Sequence, residues 1–161
     1  RVGELLREDS RPLCLVAAAT AHALLDYIRI LVRYYRRDVI LLDSTDRMAH
    51  QLIDLPDNAI LLASVFDRHS RMVESVLRLF HQRNMTTVLL TKRSSTPMRR
   101  YADHVLLVPS ESSTAFRSRA CYLILLESLV AALAPADHEV ERFRVETMQG
   151  LFDELGVFII P

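Results

Sequence analysis

The chain has 161 residues, half of them hydrophobic, and its 20 basic residues balance its 20 acidic ones. This length suits one domain with a sizeable core. The zero net charge argues against a fragment that grips nucleic acid through bulk electrostatics, because such binding requires a basic excess. The three glycines leave positions 4–149 without one, which excludes a Walker loop and a G-x-G-x-x-G turn in that stretch.

The basic residues and the two cysteines indicate the cellular setting. Lys92 is the one lysine and the other 19 basic residues are arginines, a bias that codon usage in a GC-rich genome explains most simply. Cys14 and Cys121 lie far apart among apolar neighbours, as reduced core cysteines do. No apolar run reaches the roughly 18 residues that a membrane span needs, and no signal peptide opens the chain, so we expect a cytoplasmic protein. Because the first residue is Arg1, we also expect a piece of a longer protein.

Five short apolar runs predict the strands of a parallel sheet. Each run is bounded by polar residues and is too short for a typical helix, and most are rich in Val, Ile and Leu, as buried parallel strands are. The runs occupy residues 13–19, 38–42, 59–66, 86–90 and 104–108. Helical patterns separate them, and this alternation predicts one α/β domain of three layers, with helices on both faces of the sheet.

Candidate caps mark two of the helices between the strands. Ser44 and Thr45 can cap the second helix, because a side-chain oxygen there accepts a hydrogen bond from a free helix amide. Thr96 precedes Pro97, which is the order expected of a cap followed by proline at the first helical position. These signals place the helix starts just after the second and fourth strands.

Two long helices are predicted after the fifth strand, at roughly 114–134 and 138–155. Asp137 is a candidate cap of the second, and Gly156 is placed to end it. Their apolar residues exceed what one sheet face can cover, and patches of that kind are normally buried between subunits. We therefore expect a homodimer.

The candidate binding segments follow the ends of predicted strands. Ligands of open parallel sheets bind outside the carboxyl ends of the strands, where the strand order reverses. Small residues follow strand one at 17–22, where helix amides can bind an anion or the helix can simply pack closely on the strand. Hydroxyl-bearing and basic residues follow strands three and four at 64–71 and 91–97, and suit phosphate and sugar hydroxyl groups. The alternatives are a solvated turn at 64–71 in which Asp67 pairs with an arginine, and a helix cap with a charged loop at 91–97. Residues 110–114 are better explained as a capping segment.

Nine residues at these strand ends are the candidate ligand contacts. They are Ala18, Thr20, Ser64, Arg68, His69, Ser70, Thr91, Ser94 and Ser95. We expect Arg68 to bind an anionic group in bidentate fashion, with Ser70 and Thr20 taking neighbouring oxygens. The alternative makes Arg68 a structural partner of Asp67 or of a carboxylate across the dimer. No His, Cys or carboxylate pair has metal-ligand spacing and no nucleophile elbow is present, so we predict no metal, cofactor or catalytic residue.

Several stretches resemble one known family. The sequence LASVFDRHSR at 62–71, a helix, and then TTVLLT at 86–91 are similar to the centre of a sugar isomerase (SIS) domain. The chain resembles specifically the RpiR/MurR-type transcription regulators, many of which carry F-x-R-Y-S where this chain has FDRHS. YADHVLLVP at 101–109 is similar to the family's step into the fifth strand, and FRSRA at 116–120 matches its next element.

The resemblance implies a flavodoxin-like, doubly wound sheet of five parallel strands in the order 2-1-3-4-5. It also implies dimerisation, and an amino-terminal helix-turn-helix domain outside this chain, through which alone DNA would be bound. Two motifs of phosphosugar-binding members differ here. Their G-x-G-x-S after strand one is VAAAT at 16–20, and their S-x-S-G-x-T after strand three is replaced by FDRHS. Side chains in place of glycine narrow the pocket, whereas Thr20 keeps a hydroxyl.

Three functions are compatible with this sequence. The first is the effector-sensing and dimerisation domain of a bacterial transcription regulator, which binds a small anionic metabolite such as a phosphosugar. The second is a sugar-phosphate isomerase, which needs an acid or base of near-neutral pKa; Glu111, Glu127 and His69 are candidates that no spacing singles out. The third is a degenerate domain that serves dimerisation alone. We predict no aldose–ketose isomerase activity, because no acid–base pair is evident and the glycine turn is filled.

Overall fold

The centre of the molecule is a five-stranded parallel sheet, seen in a computed structural model that describes residues 1–43, 46–93, 95–109, 117–134 and 139–158. The strands are β1 (Leu13–Ala17), β2 (Val39–Leu41), β3 (Ile60–Val65), β4 (Thr86–Thr91) and β5 (His104–Leu107). They lie in the order β2-β1-β3-β4-β5, which confirms the predicted topology. β1 pairs with β2 on one side and with β3 on the other, so the strand order reverses between β1 and β3.

Helices cover both faces of the sheet. Within the described ranges they are α1 (Val2–Arg7), α2 (Thr20–Val32), α3 (Arg47–Leu52), α4 (Arg71–Gln82), a 3₁₀ helix (Pro97–Tyr101), α5 (Ala120–Ala131) and α6 (Glu139–Glu154). Residues of α1, α2 and α5 pack into one apolar core, and residues of α3, α4 and the 3₁₀ helix pack into another. The three-layer, doubly wound arrangement is therefore confirmed.

The alternation of side chains along β1 shows how one sheet builds two cores. Leu13 and Leu15 pack with α2 and α5, whereas Cys14 and Val16 pack on the α4 side, because successive side chains of a strand point to opposite faces. Burial raises the pKa of the Cys14 thiol to about 12, so Cys14 is the inert core thiol that the sequence predicts. The same prediction is wrong for Cys121, which is exposed on α5.

Two arginines, Arg11 and Arg36, join the segments at the amino ends of the strands. Arg36 is 1 % exposed. Its Nη1 donates to the Leu6 carbonyl of α1 over 2.5 Å, and its Nη2 donates to the carbonyl of Arg11. Arg11 in turn donates to Oγ1 of Thr86 over 2.6 Å and to the Asn58 carbonyl over 2.7 Å. Backbone carbonyls therefore satisfy a buried cation, as its burial requires.

α1 is an element that the sequence analysis does not predict. It packs closely on the end of α5, where a Cβ placed on Gly3 would lie 2.8 Å from the Cβ of Ala132. Nη2 of Arg7 also donates to the Ala132 carbonyl over 2.7 Å. Since only glycine allows this approach without displacing its neighbour, Gly3 sets the position of α1.

The two C-terminal helices depart from the predicted bounds. α5 starts at Ala120 rather than near 114, because residues 117–119 are not helical. Residues 114–116 and Asp137 lie outside the described residues. Gly156 follows the end of α6 as predicted, with a φ of +61° in the left-handed region that glycine adopts readily.

The caps of two other helices differ from those predicted. Asp46 caps α3, since its carboxylate accepts a hydrogen bond from the first amide of the helix over 3.1 Å. Ser44 and Thr45 lie outside the described residues. Pro97 occupies the first helical position as expected, but the helix is 3₁₀ and the Thr96 side chain makes no capping hydrogen bond.

Apolar side chains stay exposed on α5 and α6. Ile124 is 62 % exposed, Phe143 70 % and Leu151 50 %. Exposed apolar side chains of this kind favour burial against another molecule, as a homodimer would provide. The homodimer itself stays a prediction. No helix in the described ranges is both long and apolar enough to cross a membrane.

Candidate functional site

Two cavities open at the carboxyl ends of β1, β3 and β4. The first, called the β1 cavity, has a volume of about 280 Å³ and lies between the end of β1 and the loop after β3. The second, called the β4 cavity, has a volume of about 310 Å³ and lies between that loop and the segment after β4. Val65, Phe66 and Asp67 line both and separate them. The pair lies beside the reversal of strand order, where parallel sheets bind ligands.

Eight of the nine predicted contact residues line these cavities. The β1 cavity contains Ala18, Thr20, Ser64, Arg68 and Ser70. The β4 cavity contains His69, Thr91 and Ser95. Ser94 lies outside the described residues. The fold thus gathers the predicted residues at one end of the sheet but divides them between two spaces.

A carboxylate held by three cations lies where the two cavities meet. Oδ1 of Asp67 is 2.6 Å from Nζ of Lys92 and 3.4 Å from Nε of Arg117. Its Oδ2 is 2.8 Å from Nη2 of Arg119. We call these four residues the Asp67 cluster. The sequence brings them from three loops, after β3, after β4 and before α5.

The surroundings of Asp67 change its pKa in opposing directions. Burial of the carboxyl is the largest single effect and raises the pKa, but the hydrogen bonds and the positive charges of Lys92 and Arg119 together lower it by more. The net result is a pKa below the usual value, so Asp67 is ionised at neutral pH. A carboxylate of that kind is a poor general base, since efficient proton transfer needs a pKa near the working pH.

Arg119 contacts three other residues that line the β1 cavity. Besides Asp67, it donates through Nε to the hydroxyl of Thr20 over 3.4 Å. Its guanidinium lies 5.0 Å from the centre of the Phe66 ring, a distance at which cation–π attraction operates. Among the described residues, its buried Nη1 has no hydrogen-bond partner. The side chain therefore holds an unused donor beside the cavity.

Phe66, which lines the β1 cavity, packs against the buried ring of Tyr122. The Phe66 and Tyr122 rings meet edge to face with centres 4.7 Å apart. The hydroxyl groups of Tyr122 and Ser64 lie 2.8 Å apart in a hydrogen bond, and both side chains are buried. Burial raises the pKa of Tyr122, so this phenol stays protonated. The hydroxyl of Ser64, a predicted contact residue, is therefore already hydrogen-bonded to Tyr122.

The turn between β1 and α2 is strained at Ala19. This residue has a φ of +51° and a ψ of −130°, a combination that glycine adopts far more readily than alanine. Of the two positions that the resemblance assigns to glycine, Val16 is buried in the core and Ala18 lines the β1 cavity. The sequence analysis singles out those two positions, whereas the unusual backbone lies one residue further on.

The loop after β3 presents the remaining predicted residues. Arg68 is exposed at the edge of the β1 cavity, and within the described chain it forms no ion pair; its predicted alternative pairing with Asp67 is therefore not observed. Ser70 caps α4, since its Oγ accepts a hydrogen bond from the Val73 amide over 3.4 Å. Nε2 of His69 lies 3.8 Å from Oε2 of Glu74.

Sequence reasoning missed the residues with the strongest contacts. Lys92, Arg117 and Arg119 were each visible as basic residues beside a predicted strand or helix end, but no spacing connects them to Asp67. Arg119 and Asp67 are 52 positions apart in sequence, and Lys92 and Asp67 are 25 apart. The one available signal was the pair of arginines in FRSRA, the stretch that resembles a family motif.

The arrangement suits an anion that also carries hydroxyl groups. Arg68 and Arg119 line the β1 cavity, and Lys92, Arg93 and Arg117 line the β4 cavity. Asp67 is the one carboxylate among the described residues of either lining. In the described chain no three His, Cys, Asp or Glu side chains are grouped to hold a metal ion. Guanidinium and ammonium groups recognise phosphate or carboxylate oxygens.

Solved structures with the same fold include transcription factors and an isomerase-like protein. The sugar isomerase domain of an RpiR transcription factor from Sphaerobacter thermophilus has a TM-score of 0.81 and 17 % identity, over 92 % of this chain and 84 % of that chain. The Vibrio vulnificus NanR protein, complexed with ManNAc-6P, has a TM-score of 0.79 and 17 % identity, over 96 % of this chain and 60 % of that chain.

A third similar structure is MJ1247 of Methanococcus jannaschii, whose structure was taken to indicate a 3-hexulose-6-phosphate isomerase. It has a TM-score of 0.66 and 10 % identity, over 88 % of this chain and 81 % of that chain. No curated protein sequence matches the chain. The model of the SIS domain family matches residues 39–132, more than half of the sequence and most of the sheet. The chain belongs to the SIS domain family.

Proposed function

We propose that this chain is the effector-sensing and dimerisation domain of a bacterial transcription regulator of the RpiR type, and that it binds a small anionic metabolite such as a phosphosugar. The observation that carries the proposal is the concentration of cations in the paired cavities. Five basic side chains and one carboxylate line them, although the whole chain has no net charge. That local excess favours an anionic ligand.

The lining also suits the rest of a phosphosugar. Thr20 in the β1 cavity and Ser95 in the β4 cavity can exchange hydrogen bonds with sugar hydroxyl groups. Arg68 extends the set of donors at the edge of the β1 cavity. Of the proteins with the same fold, NanR is complexed with ManNAc-6P, a ligand of this chemical class.

We infer further that the domain does not isomerise its ligand. Of the three candidate bases, Glu127 lines neither cavity and accepts a hydrogen bond from the Tyr27 hydroxyl over 3.0 Å. His69 lines the β4 cavity, and its Nε2 lies 3.8 Å from the carboxylate of Glu74, which is not among the described lining residues of either cavity; Glu111 lies outside the described residues. Isomerisation needs a base placed on the substrate carbon, and Asp67 is held ionised by cations.

The exposed apolar side chains of α5 and α6 support a homodimer, whose isologous interface would place two ligand sites in one particle. DNA would be bound only through a helix-turn-helix domain outside this chain, and the setting would be the cytoplasm. Light scattering at micromolar concentration is expected to give twice the monomer mass. A monomer mass would contradict the dimer and leave the ligand site unaffected.

Thermal and urea unfolding with a panel of sugar phosphates tests the ligand proposal. A ligand at about 100 times its dissociation constant is expected to raise the free energy of unfolding by roughly 2.7 kcal/mol. Arg68→Ala should lose most of that gain without destabilising the free domain, whereas Arg78→Ala, on the exposed surface of α4, should keep it. The proposal would be contradicted if neutral sugars stabilise the domain as much as sugar phosphates do, or if no sugar phosphate of the panel stabilises it. If the Arg68→Ala variant is unfolded without ligand, Arg68 is a structural residue.

A further inference from the structure

The Asp67 carboxylate occupies the donors that an incoming anion needs. Both of its oxygens are engaged, Oδ1 by Lys92 and Arg117 and Oδ2 by Arg119, at distances between 2.6 and 3.4 Å. Its side chain is only 21 % exposed, although it belongs to a loop and not to the sheet. It lies on the wall shared by the two cavities. A ligand anion placed between the cavities would meet a site already filled by an internal one.

We infer that Asp67 is an internal counter-ion that a ligand must displace, and that it restricts the site to dianionic phosphoryl groups. This inference rests on the proposed function and assigns a selectivity-determining residue to that site. A monoanionic ligand would merely exchange one carboxylate for another against the same three cations. A phosphate monoester has a second pKa of about 6 and carries nearly two charges at neutral pH, so it gains attraction that Asp67 does not supply.

The unused donor of Arg119 supports the same ligand class. Asp67 offers two oxygens, and among the described residues Nη1 of Arg119 has no partner. A phosphoryl group offers three terminal oxygens, enough for the present donors and for Nη1 as well. A carboxylate ligand would leave that nitrogen without a partner, which is costly for a buried polar group.

Displacement is structurally inexpensive because of where Asp67 lies. The residue follows the last residue of β3 by two positions and precedes α4, and its backbone carries no strand pairing. Rotation of its side chain toward solvent changes no contact of the sheet. Lys92 and Arg119 have side chains that are 16 % and 21 % exposed, so most of each cation's side chain is already removed from solvent before a ligand arrives.

Isothermal titration with inorganic phosphate and with acetate tests the inference. The proteins are the wild type, Asp67→Asn and the control Asp57→Asn, whose exposed side chain precedes β3 at the opposite end of the sheet. At about pH 7.5, where phosphate is mostly dianionic, we expect Asp67→Asn to bind phosphate at least roughly ten-fold more tightly than the wild type. We expect acetate to bind Asp67→Asn but not the wild type. The preference for phosphate over acetate should therefore be smaller in Asp67→Asn than in the wild type. Asp57→Asn should behave as the wild type.

Phosphate binding by Asp67→Asn that equals or falls below that of the wild type would overturn the inference. If Asp67→Asn fails to fold, the comparison is repeated in the Lys92→Gln background, which removes one of the cations that repel each other once Asp67 is gone. The double variant Asp67→Asn/Lys92→Gln should then bind phosphate more tightly than Lys92→Gln does. If sugar phosphates stabilise the wild type but inorganic phosphate binds the wild type and Asp67→Asn equally, the proposed function is supported and the inference about Asp67 is wrong. If Asp67→Asn binds phosphate more tightly than the wild type but no sugar phosphate stabilises the domain, the inference about Asp67 is supported and the proposed function is wrong.

Discussion

Arg36 and Arg119 occupy opposite ends of the same sheet and show two uses of one side chain. Arg36, at the amino ends of the strands, is almost fully buried and donates to backbone carbonyls of Leu6, Arg11 and Arg37. Arg119, at the carboxyl ends, contacts a carboxylate and a hydroxyl from side chains and keeps one donor unused. Carbonyls fixed in the backbone cannot leave their donor, whereas side-chain acceptors can be exchanged for those of a ligand.

The comparison teaches that the partners of a buried arginine reveal its role better than its burial does. Burial lowers the pKa of Arg36, and the nearby charges of Asp9 and Asp38 only partly offset that effect. Its carbonyl partners compensate the cost of burial and tie α1 to the sheet. At Arg119 the partners are side chains that a ligand can replace, which fits the binding role that we propose for this residue. The predictions below test this division, beginning with the largest expected effect.

Arg36→Met should produce the largest loss of stability. The carbonyls of Leu6 and Arg11 would lose their buried donor, and we expect the free energy of unfolding in urea to fall by about 2–4 kcal/mol. Arg37→Met, whose side chain is exposed, should change it by less than about 0.5 kcal/mol. A small effect of Arg36→Met would remove the structural half of the comparison.

Arg119→Gln should show the opposite behaviour. We expect the free domain to lose no more than about 1 kcal/mol, because the ion pair with Asp67 is partly exposed. The stabilisation by a sugar phosphate, roughly 2.7 kcal/mol at 100 times its dissociation constant, should largely disappear. Urea unfolding with and without ligand measures both quantities. A large loss in the free domain with unchanged ligand stabilisation would make Arg119 structural, like Arg36.

The stabilising effect of Asp67 should depend on pH in one direction. Its pKa in the folded domain is lowered, so the stability it provides is present above the unfolded pKa of about 4 and is lost as pH falls through the lower folded value. Wild type should therefore exceed Asp67→Asn in free energy of unfolding at pH 7. The two curves should converge below about pH 4, as the Asp67 carboxylate becomes protonated. A difference that grows as pH falls would contradict this assignment.

Ala19→Gly should have the smallest effect on the free energy of unfolding, and it should raise that free energy where the other substitutions lower it. Glycine relieves the strain of a φ of +51° but increases the freedom of the unfolded chain, and we expect a net stabilisation of about 0.5–1 kcal/mol. Ala17→Gly, within the buried strand β1, should instead destabilise by about 1 kcal/mol. If both substitutions destabilise equally, the turn at Ala19 is not strained, and the binding end of the sheet holds no stored strain.

The sequence predicted the sheet well because its signals are local. Each strand is a short apolar run, and the order of the five strands followed from the resemblance. The candidate site was proposed as a region for the same reason, since residues after parallel strands must share one edge. The Asp67 cluster could not be predicted, because its charge pairs join loops that are 25 and 52 positions apart. α1 was missed because it is six residues long and depends on the close approach of Gly3 to Ala132.

Lys92 offers an experimental route into the proposed binding site. It is the single lysine of the 161 residues, so an amine-directed reagent has one side-chain target in this sequence. Reductive methylation with isotope-labelled formaldehyde would then give one NMR signal from a lysine side chain of this domain. That signal comes from the amine that lies 2.6 Å from the Asp67 carboxylate. Its chemical shift would follow the exchange of one anion for another without any substitution in the protein.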